Sequence, residues 1–290
     1  MQTQNKILKT VMKPITELVI LTDKFSDWIF DQKKISDSTK MFEGVFKGKK
    51  ISSTVTFKFG GGLLQQFDKS VLLALINERN AENEFVSIQR LFETLGGGNH
   101  LTSKMKTKLL KSVRKLMATI VKIDCVELVN LCYKGKKATI EGPLLHCNII
   151  TAKINSQVTD DVIQLVADSP LLQVADIKNQ IARLPSNFLP KIRSTENLIA
   201  LNWFLLEQVA EIVGSNSRER KKRVHKLNCS ILFDTLFNKC GFSDLDKIQK
   251  SRLRENIKNI LEHFQNCGLI EDFKFTKENG EIRSIEIFLS

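Results

Sequence analysis

The chain has 290 residues, 42% of them hydrophobic, and its 44 Lys and Arg against 32 Asp and Glu give a formal net charge of +12 at pH 7. That much apolar sequence forms a sizeable core, which excludes wholesale disorder, and a chain of this length is expected to form two domains. The excess of positive charge favours a polyanionic partner, either nucleic acid or an anionic membrane surface.

A membrane partner is not expected from the distribution of apolar residues. No stretch approaches the roughly 20 apolar residues that a membrane-spanning helix needs. Lys6, Lys9 and Lys13 interrupt the N-terminus, which therefore lacks the apolar core of a signal peptide. We expect a cytoplasmic protein without membrane contact.

The first 60 residues predict strands ahead of the first long helix. Residues 17–21 are typical of either a short strand or the start of an amphipathic helix. From residue 51 to 59 apolar side chains alternate with polar ones, which predicts a half-buried strand. A turn that begins at Gly48 is expected to join it to a preceding strand at residues 42–47.

Three predicted helices come next. Residues 67–80 and 85–95 have apolar side chains at helical spacing. A third helix begins with Thr102 or Ser103 as N-cap, and it has basic residues but no acidic ones among its polar positions.

A β-hairpin is predicted directly after the basic helix. Residues 120–133 and 138–150 have the pattern of two strands, with a turn at residues 134–137 between them. The order of helix, helix, basic helix and hairpin is typical of a winged-helix unit, a relative of the helix-turn-helix.

The middle of the chain, residues 160–213, is predicted to be helical and is broken into pieces by three prolines. Asp160 and Asp161 are expected to start a helix, where carboxylates interact favourably with the helix dipole. Residues 214–217 then lead into a basic segment at 218–223, which is expected to be a loop at a domain boundary or a surface insertion.

The last quarter repeats the order of the first unit. Residues 230–239, 245–250 and 251–265 are predicted helices. Strands are expected at 270–277 and 282–288, and the Asn-Gly pair between them is the strongest short signal for a hairpin.

These elements predict an α+β, helix-rich fold with two winged-helix DNA-binding domains in tandem. We expect an N-terminal winged-helix domain with extra N-terminal strands at residues 1–160. A helical connector packed with the domains is expected at 161–214, and a C-terminal winged-helix domain at 215–290.

Double-stranded DNA is the partner that the two basic helices predict. The major groove accepts one α-helix, and Lys and Arg that contact phosphates supply most of the affinity. Basic helix faces are often only solvated, but two of them, each followed by a hairpin in a chain of net charge +12, favour DNA binding. Because Arg binds guanine in bidentate fashion, we expect the last unit to supply most base readout.

The candidate DNA contacts are basic residues of the two helices, the two hairpins and the basic segment, with one serine at a helix start. They are Ser103, Lys104, Lys106, Lys108, Lys111, Arg114, Lys136, Lys137, Arg220, Lys221, Lys222, Arg223, Lys250, Arg252, Arg254, Lys258, Lys274, Lys277 and Arg283.

Enzymatic, metal-binding and cofactor-binding functions are not expected. The glycines at 60–62 lack the Lys-Ser/Thr of a phosphate-binding loop, and the four histidines are scattered singly. None of the six cysteines forms a C-x-x-C pair or has a histidine at zinc-ligand spacing, so we expect free thiols in a reducing compartment. Tyr133, the single tyrosine, has no histidine pair nearby for a role as a nicking nucleophile.

Over residues 67–290 the chain resembles plasmid replication initiator proteins with tandem winged-helix domains. The resemblance is carried by the segments 67–76, 109–117, 169–172, 197–201, 204–206, 231–237 and 252–270. It implies a non-enzymatic initiator that binds direct repeats at the replication origin of a plasmid or mobile element and opens the adjacent duplex. It also implies recruitment of host replication proteins, a helicase and an initiator among them, and homodimers that repress their own gene.

Two other functions are compatible with the same residues. One is a winged-helix transcriptional regulator or partition protein, because groove-reading units are shared among many functions. The other is an adaptor whose basic segment at 218–223 contacts an acidic protein or RNA. Strong binding to any duplex DNA at physiological salt would count against the adaptor.

Overall fold

The computed structural model describes residues 12–22, 24–31, 38–46, 49–58, 60–98, 100–124, 139–154, 157–178, 180–191, 195–222, 229–242, 245–278 and 281–289. Helices and small antiparallel sheets alternate along it, so the predicted α+β fold class is confirmed. No helix in this described part of the chain is long and apolar enough to cross a membrane.

The helices are α1 (Lys24–Phe30), α2 (Gln66–Asn80), α3 (Ile88–Thr94), α4 (Ser103–Ala118), α5 (Pro170–Ile177), α6 (Glu196–Lys222), α7 (Phe233–Lys239) and α8 (Lys247–Asn266), with a 3-10 turn at Ser186–Phe188. The strands are β1 (Glu17–Leu21), β2 (Ser38–Phe46), β3 (Lys49–Lys58), β4 (Phe85–Ser87), β5 (Ile120–Asp124), β6 (Thr139–Pro143), β7 (His146–Ile154), β8 (Gln157–Ala167), β9 (Ile181–Pro185), β10 (Ser230–Leu232), β11 (Asp272–Glu278) and β12 (Glu281–Phe288).

Six elements in the first half of the chain form a three-helix unit with a three-stranded sheet, here called the first unit. In chain order they are α2, β4, α3, α4 and the hairpin β7–β8. β8 is the central strand, with β4 paired on one side and β7 on the other. The three helices contact one another through buried side chains such as Leu72, Leu91 and Leu109.

The second half of the chain repeats this order as the second unit. Its elements are α6, β10, α7, α8 and the hairpin β11–β12. The last strand again lies in the middle of the sheet, because β12 pairs with both β10 and β11. Both units therefore follow the order helix, strand, helix, helix, hairpin, with the same strand neighbours.

The hairpin predicted directly after α4 is not the one that pairs with β4. β5 and β6 lie within the predicted strands 120–133 and 138–150, but they join a separate four-stranded sheet of order β2-β3-β5-β6. Both hairpins have alternating apolar residues, and only the long-range pairing distinguishes them. The predicted turn at 134–137 lies outside the described residues.

The prediction of a helical middle is wrong for residues 160–167, which belong to β8, and for residues 181–185, which form β9. Asp160 and Asp161 lie inside β8 and do not start a helix. Asp161, Ile163 and Leu165 are buried, whereas the residues between them are half-buried, which is the period of two that a strand requires.

Three shorter predictions also differ from the structure. Residues 85–95 begin as the strand β4 before α3 starts, and residues 230–239 begin as β10 before α7. Residues 245–250 do not form a separate helix, because α8 runs without a break from Lys247. Its N-cap Asp246 forms a capping box with Gln249, which fixes the start of the helix there.

The basic segment is helical as far as the structure describes it. α6 continues through Gly214 to Lys222, so the prediction of a loop at 218–223 is wrong for residues 218–222, and Arg223 lies outside the described residues. The limits proposed between residues 160 and 161 and between 214 and 215 fall inside β8 and α6, and the division into domains stays a prediction.

α6 connects the two units through buried contacts. It packs against α2 and against the two-stranded sheet β1–β9, and Trp203 is fully buried. Lys69 of α2, which is 1% exposed, donates to Glu207 of α6 and, at 2.8 Å, to Asp27 of α1. On the other side, Asn197 of α6 donates to the carbonyl of Gly241 after α7, at 3.2 Å. The helix is thus fixed to both halves of the chain.

Candidate nucleic-acid interface

The helix α4 has one apolar side and one basic side, as the sequence predicts. Thr102 is its N-cap, and the Thr102 hydroxyl accepts a hydrogen bond from the amide of Met105 at 3.2 Å. Met105, Leu109, Val113 and Leu116 face the core. The helix has six basic residues and no acidic ones, so its remaining surface is strongly positive.

The turn that leads from α3 into α4 requires glycine. Gly96 has φ +83°, a left-handed conformation in which a side chain is strained. At Gly97 a Cβ atom would lie 2.6 Å from the carbonyl oxygen of Phe92. These two glycines allow the chain to reverse tightly and set the direction in which α4 leaves α3.

The exposed side of α4 forms a continuous stripe. Ser103, Thr107, Lys111 and Arg114 are exposed and follow one another three or four residues apart, so they lie along one line of the helix, with exposed Lys104 beside it. Within the described ranges, Lys104, Lys111 and Arg114 have no ion pair. These five residues, here called the α4 stripe, are the most accessible cationic surface among the side chains described in the first unit.

Lys106 and Lys108, both candidate DNA contacts, are engaged with acids instead. The Lys106 Nζ lies 3.0 Å from Asp161 Oδ2 in the strand β8. The Lys108 Nζ pairs with Glu196, the first residue of α6. Counted around the helix axis, these two lysines flank the α4 stripe on opposite sides.

The surroundings of Asp161 lower its pKa and keep the carboxylate ionised beside Lys106. Burial alone raises the pKa of Asp161, but hydrogen bonds from Lys106 and from the Thr151 hydroxyl, together with the charges of Lys106 and Arg114, outweigh it and lower the pKa. The acid therefore remains a charged partner at neutral pH, and it ties α4 to both strands of the β7–β8 hairpin.

The corresponding helix of the second unit, α8, has a mixed surface. Arg252 is exposed and has no ion pair in the part of the chain that the structure describes. Arg254 is only half-exposed, and its Nε is buried without a hydrogen-bond partner among the described residues. Exposed Glu255 follows directly, and Lys258 lies 3.5 Å from Glu262 one turn away. The outer side of α8 is therefore less positive than that of α4.

The hairpin of the second unit has two cations without an ion pair among the described residues and one cation that is paired. Lys274 and Lys277 on β11 are exposed. Arg283 on β12 lies 3.6 Å from Asp234 and 3.4 Å from Glu278. Two of the three predicted hairpin contacts are therefore available to a ligand without breaking an ion pair.

The remaining candidates are less completely described. Lys250 is half-buried near the start of α8. Arg220, Lys221 and Lys222 belong to the last turn of α6, but their side chains are outside the description, as are Lys136, Lys137 and Arg223 altogether.

Sequence reasoning missed Asp161 and Glu196, the acids that hold Lys106 and Lys108. Glu196 is 88 positions away from Lys108 in the chain, and nothing in local periodicity links the two. Asp161 is in register with Ile163 and Leu165, and this alternation predicts a strand in which Asp161 faces the same side as the two apolar residues.

The buried side chains of Lys69 and Glu207 form an ionic cluster with Asp27, whose side chain is 41% exposed. Burial raises the pKa of Glu207 to about 7, and repulsion from Asp27 adds to this while Lys69 opposes it. Burial alone lowers the pKa of Lys69, but the charges of Glu207 and Asp27 outweigh it and raise the pKa. Each charge has a partner within the protein, so the cluster has the character of a structural junction.

The described residues do not assemble a metal or thiol site. No group of three or more His, Cys, Asp and Glu comes together in the described ranges. Cys147, Cys240 and Cys267 are not in disulfides, and burial raises the pKa of the Cys147 thiol to about 12. Such a thiol is protonated and unreactive at neutral pH. Cys125, Cys132 and Tyr133 lie outside the described residues.

Comparison with known proteins gives a fold likeness only. No protein-family model and no curated protein matches the chain. Two solved structures, both described as domains 2 and 3 of RctB, are similar, one of them a selenomethionine derivative. Each is 10% identical, and the match covers 91% of this chain and 96% of the other, with TM-scores of 0.44 and 0.47. A likeness at this level carries no weight for what this chain binds.

Proposed function

We propose that the chain is a sequence-specific double-stranded DNA-binding protein that initiates replication at the origin of a plasmid or mobile element. In this proposal the first and second units are winged-helix units, and α4 and α8 are their recognition helices. The chain acts without enzymatic activity and without a cofactor.

The repeated topology supports winged-helix units. Each unit has three helices with a strand after the first helix and a hairpin after the third, and the last strand lies between the other two. Winged-helix proteins use this arrangement to bring the third helix to the major groove and the hairpin to the adjacent backbone. The match is one of element order and strand pairing, repeated twice in one chain.

The α4 stripe is the observation that carries the DNA-binding proposal. It is exposed, free of acids and follows one side of a helix, and Lys104, Lys111 and Arg114 within it have no competing ion pair in the described structure. A helix of these dimensions fits the major groove, where Lys and Arg reach phosphates and Ser and Thr reach base edges. The net charge of +12 adds long-range attraction to the duplex.

The role at an origin rests on the resemblance to plasmid replication initiators. It implies direct repeats as the DNA target and host replication proteins as partners, with a homodimer as a further state. A winged-helix transcriptional regulator would use the same helices, so the arrangement of the bound sites is the property that separates the two functions.

The test is a DNase I footprint of the purified full chain on the DNA that flanks its own gene. Protection that repeats in phase over several direct repeats supports an initiator. Protection of one inverted repeat over the promoter and nowhere else supports a dimeric regulator and contradicts the initiator. No protection, together with no binding to duplex DNA at physiological salt, contradicts DNA binding itself.

A pair of matched variants shows whether binding uses the α4 stripe. K111A/R114A removes two exposed cations from the stripe, and K58A/K191A removes two exposed cations from β3 and from the segment before α6, with the same change in net charge. None of these four residues has an ion pair within the described ranges. We expect the first variant to lose the footprint and the second to keep it. Equal losses in both variants would mean that overall charge, and not the stripe, determines binding.

A further inference from the structure

The charges around α4 are arranged in a way that DNA binding alone does not require. Of its six basic residues, three are ion-paired: Lys106 with Asp161, Lys108 with Glu196 and Lys115 with Asp68. The third pair is shielded from solvent, with the Lys115 and Asp68 side chains 15% and 3% exposed, and Lys115 also donates to the carbonyl of Leu63 at 2.9 Å. The first two pairs are at the edges of the exposed stripe.

Lys106 and Lys108 occupy the positions from which a helix in the major groove reaches phosphates. The phosphate backbones border the groove on both sides, and the two lysines flank the α4 stripe on opposite sides. Without their acid partners, both lysines would be expected to contact phosphate. Each contact would steepen the slope of log K against log salt by about 0.9. Such contacts add affinity for every sequence alike.

The two acids come from outside α4 and are partly shielded from solvent. Asp161 is on the hairpin strand β8 and its side chain is 10% exposed, while Glu196 opens α6 and its side chain is 26% exposed. Asp161 also accepts a hydrogen bond of 2.8 Å from Thr151, which holds its carboxylate in place. An ion pair that is held and shielded in this way competes with phosphate better than a fully exposed pair does.

We propose that Asp161 and Glu196 are specificity-determining residues, which hold Lys106 and Lys108 away from the phosphates and thereby lower the affinity of the chain for non-cognate duplex DNA. This inference rests on the proposed DNA binding. The stripe between the two pairs is left as the part of α4 that meets the groove. The two acids thereby increase the ratio of cognate to non-cognate affinity. They remove phosphate contacts, which every sequence offers, and leave unchanged the contacts of the stripe with base edges.

The experiment measures affinity for a mixed-sequence duplex of 20 base pairs by fluorescence anisotropy across a range of KCl concentrations. We expect D161N and E196Q each to steepen the slope of log K against log salt by about 0.9 and to raise affinity near 0.1 M salt roughly five- to tenfold. E141Q is the charge-matched control, because Glu141 pairs with Lys122 on the four-stranded sheet β2-β3-β5-β6 and its side chain is 59% exposed. It should leave the slope unchanged.

A double variant shows whether the freed lysine is responsible. In D161N/K106M the extra slope of D161N should disappear, and K106M alone should keep the salt slope of the wild-type chain. A gain that persists in D161N/K106M, or a loss of slope in K106M alone, would overturn the proposal. K106M leaves Asp161 without its cation, so thermal denaturation is measured beside each binding curve to confirm that the chain is folded.

The outcomes separate this inference from the function on which it rests. If the wild-type chain shows no salt-dependent binding to duplex DNA, the proposed function fails. If it binds and neither D161N nor E196Q changes the slope, DNA binding stands and the two pairs only support the fold.

Discussion

Lys108 and Lys111 are one turn apart on α4, yet they meet different surroundings. Lys108 pairs with Glu196, and Lys111 is exposed with no ion pair in the described ranges. We expect K111A to weaken binding to cognate and mixed-sequence DNA alike, roughly five- to tenfold, and to reduce the salt slope by about 0.9. K108A should change both quantities less. Salt titrations of the two variants side by side check this, and equal effects would contradict it.

Arg252 is the residue of the second unit best placed to read a base. It is exposed in the second turn of α8 and has no ion pair in the described structure, unlike Lys258 on the same helix. Because a bidentate contact with guanine is worth about 1–3 kcal/mol of discrimination, we expect R252A to reduce the preference for the cognate site over mixed-sequence DNA by about tenfold or more. Competition between the two duplexes measures this ratio. An unchanged ratio with uniformly weaker binding would assign Arg252 to a phosphate.

At the scale of the element, the start of α4 depends on one side chain. The Thr102 hydroxyl satisfies the amide of Met105, which otherwise has no partner in the first turn. T102A is therefore expected to lower the free energy of unfolding by about 1 kcal/mol, measured by urea denaturation. T107A is the control, because Thr107 is exposed on the same helix and its hydroxyl only donates to the carbonyl of Ser103. It should change stability by less than about 0.5 kcal/mol.

Elements with a long, one-sided apolar pattern could be predicted from the sequence. α2 begins and ends within one residue of the prediction, because its apolar side chains recur at helical spacing, although Gln66 to Glu78 are all buried. α4 begins at the predicted N-cap, because it has one apolar side and one exposed basic side. The stripe on α4 could be predicted for the same reason. The pair Asp246 and Gln249 has the spacing of a capping box, and this spacing predicts the observed start of α8 at Lys247.

Elements defined by distant partners could not be predicted from the sequence. β4 has three residues, too few for any period, and it is a strand because it pairs with β8 some 75 positions further on. The two hairpins after α4 have similar alternation, and the choice between them is made by pairing with β3 or with β4. For the same reason nothing in the local sequence links Glu196 to Lys108, which is 88 positions away.

At the scale of the whole molecule, Glu207 links the stability of the junction to pH. Its pKa is about 7 in the folded chain against an ordinary value of 4.5. Between these pH values the folded chain holds a proton that the unfolded chain has released. The contribution of Glu207 to the free energy of unfolding therefore falls by about 3 kcal/mol as the pH rises from about 4.5 to about 7.

E207Q removes this contribution because glutamine does not titrate. We expect the stability of the wild-type chain relative to E207Q to decrease between pH 5 and pH 8, as measured by urea denaturation at both values. The groups that surround Glu207 come from both halves of the chain: Asp27, Lys69 and Lys239. If the difference between the two proteins were the same at pH 5 and pH 8, the proton would have to be held elsewhere.

Because α6 contacts both units, it restricts where this chain can be divided. α6 is the first helix of the second unit in chain order, yet it packs on α2 of the first and shares the buried charges of Lys69. A cut after Lys222 would leave the second unit without its opening helix, and that helix would stay with the first unit. A recombination event that exchanged the second unit between related genes would have to fall before Glu196 and would still have to preserve the partner of Lys69. The two units are therefore expected to be inherited together, as one piece.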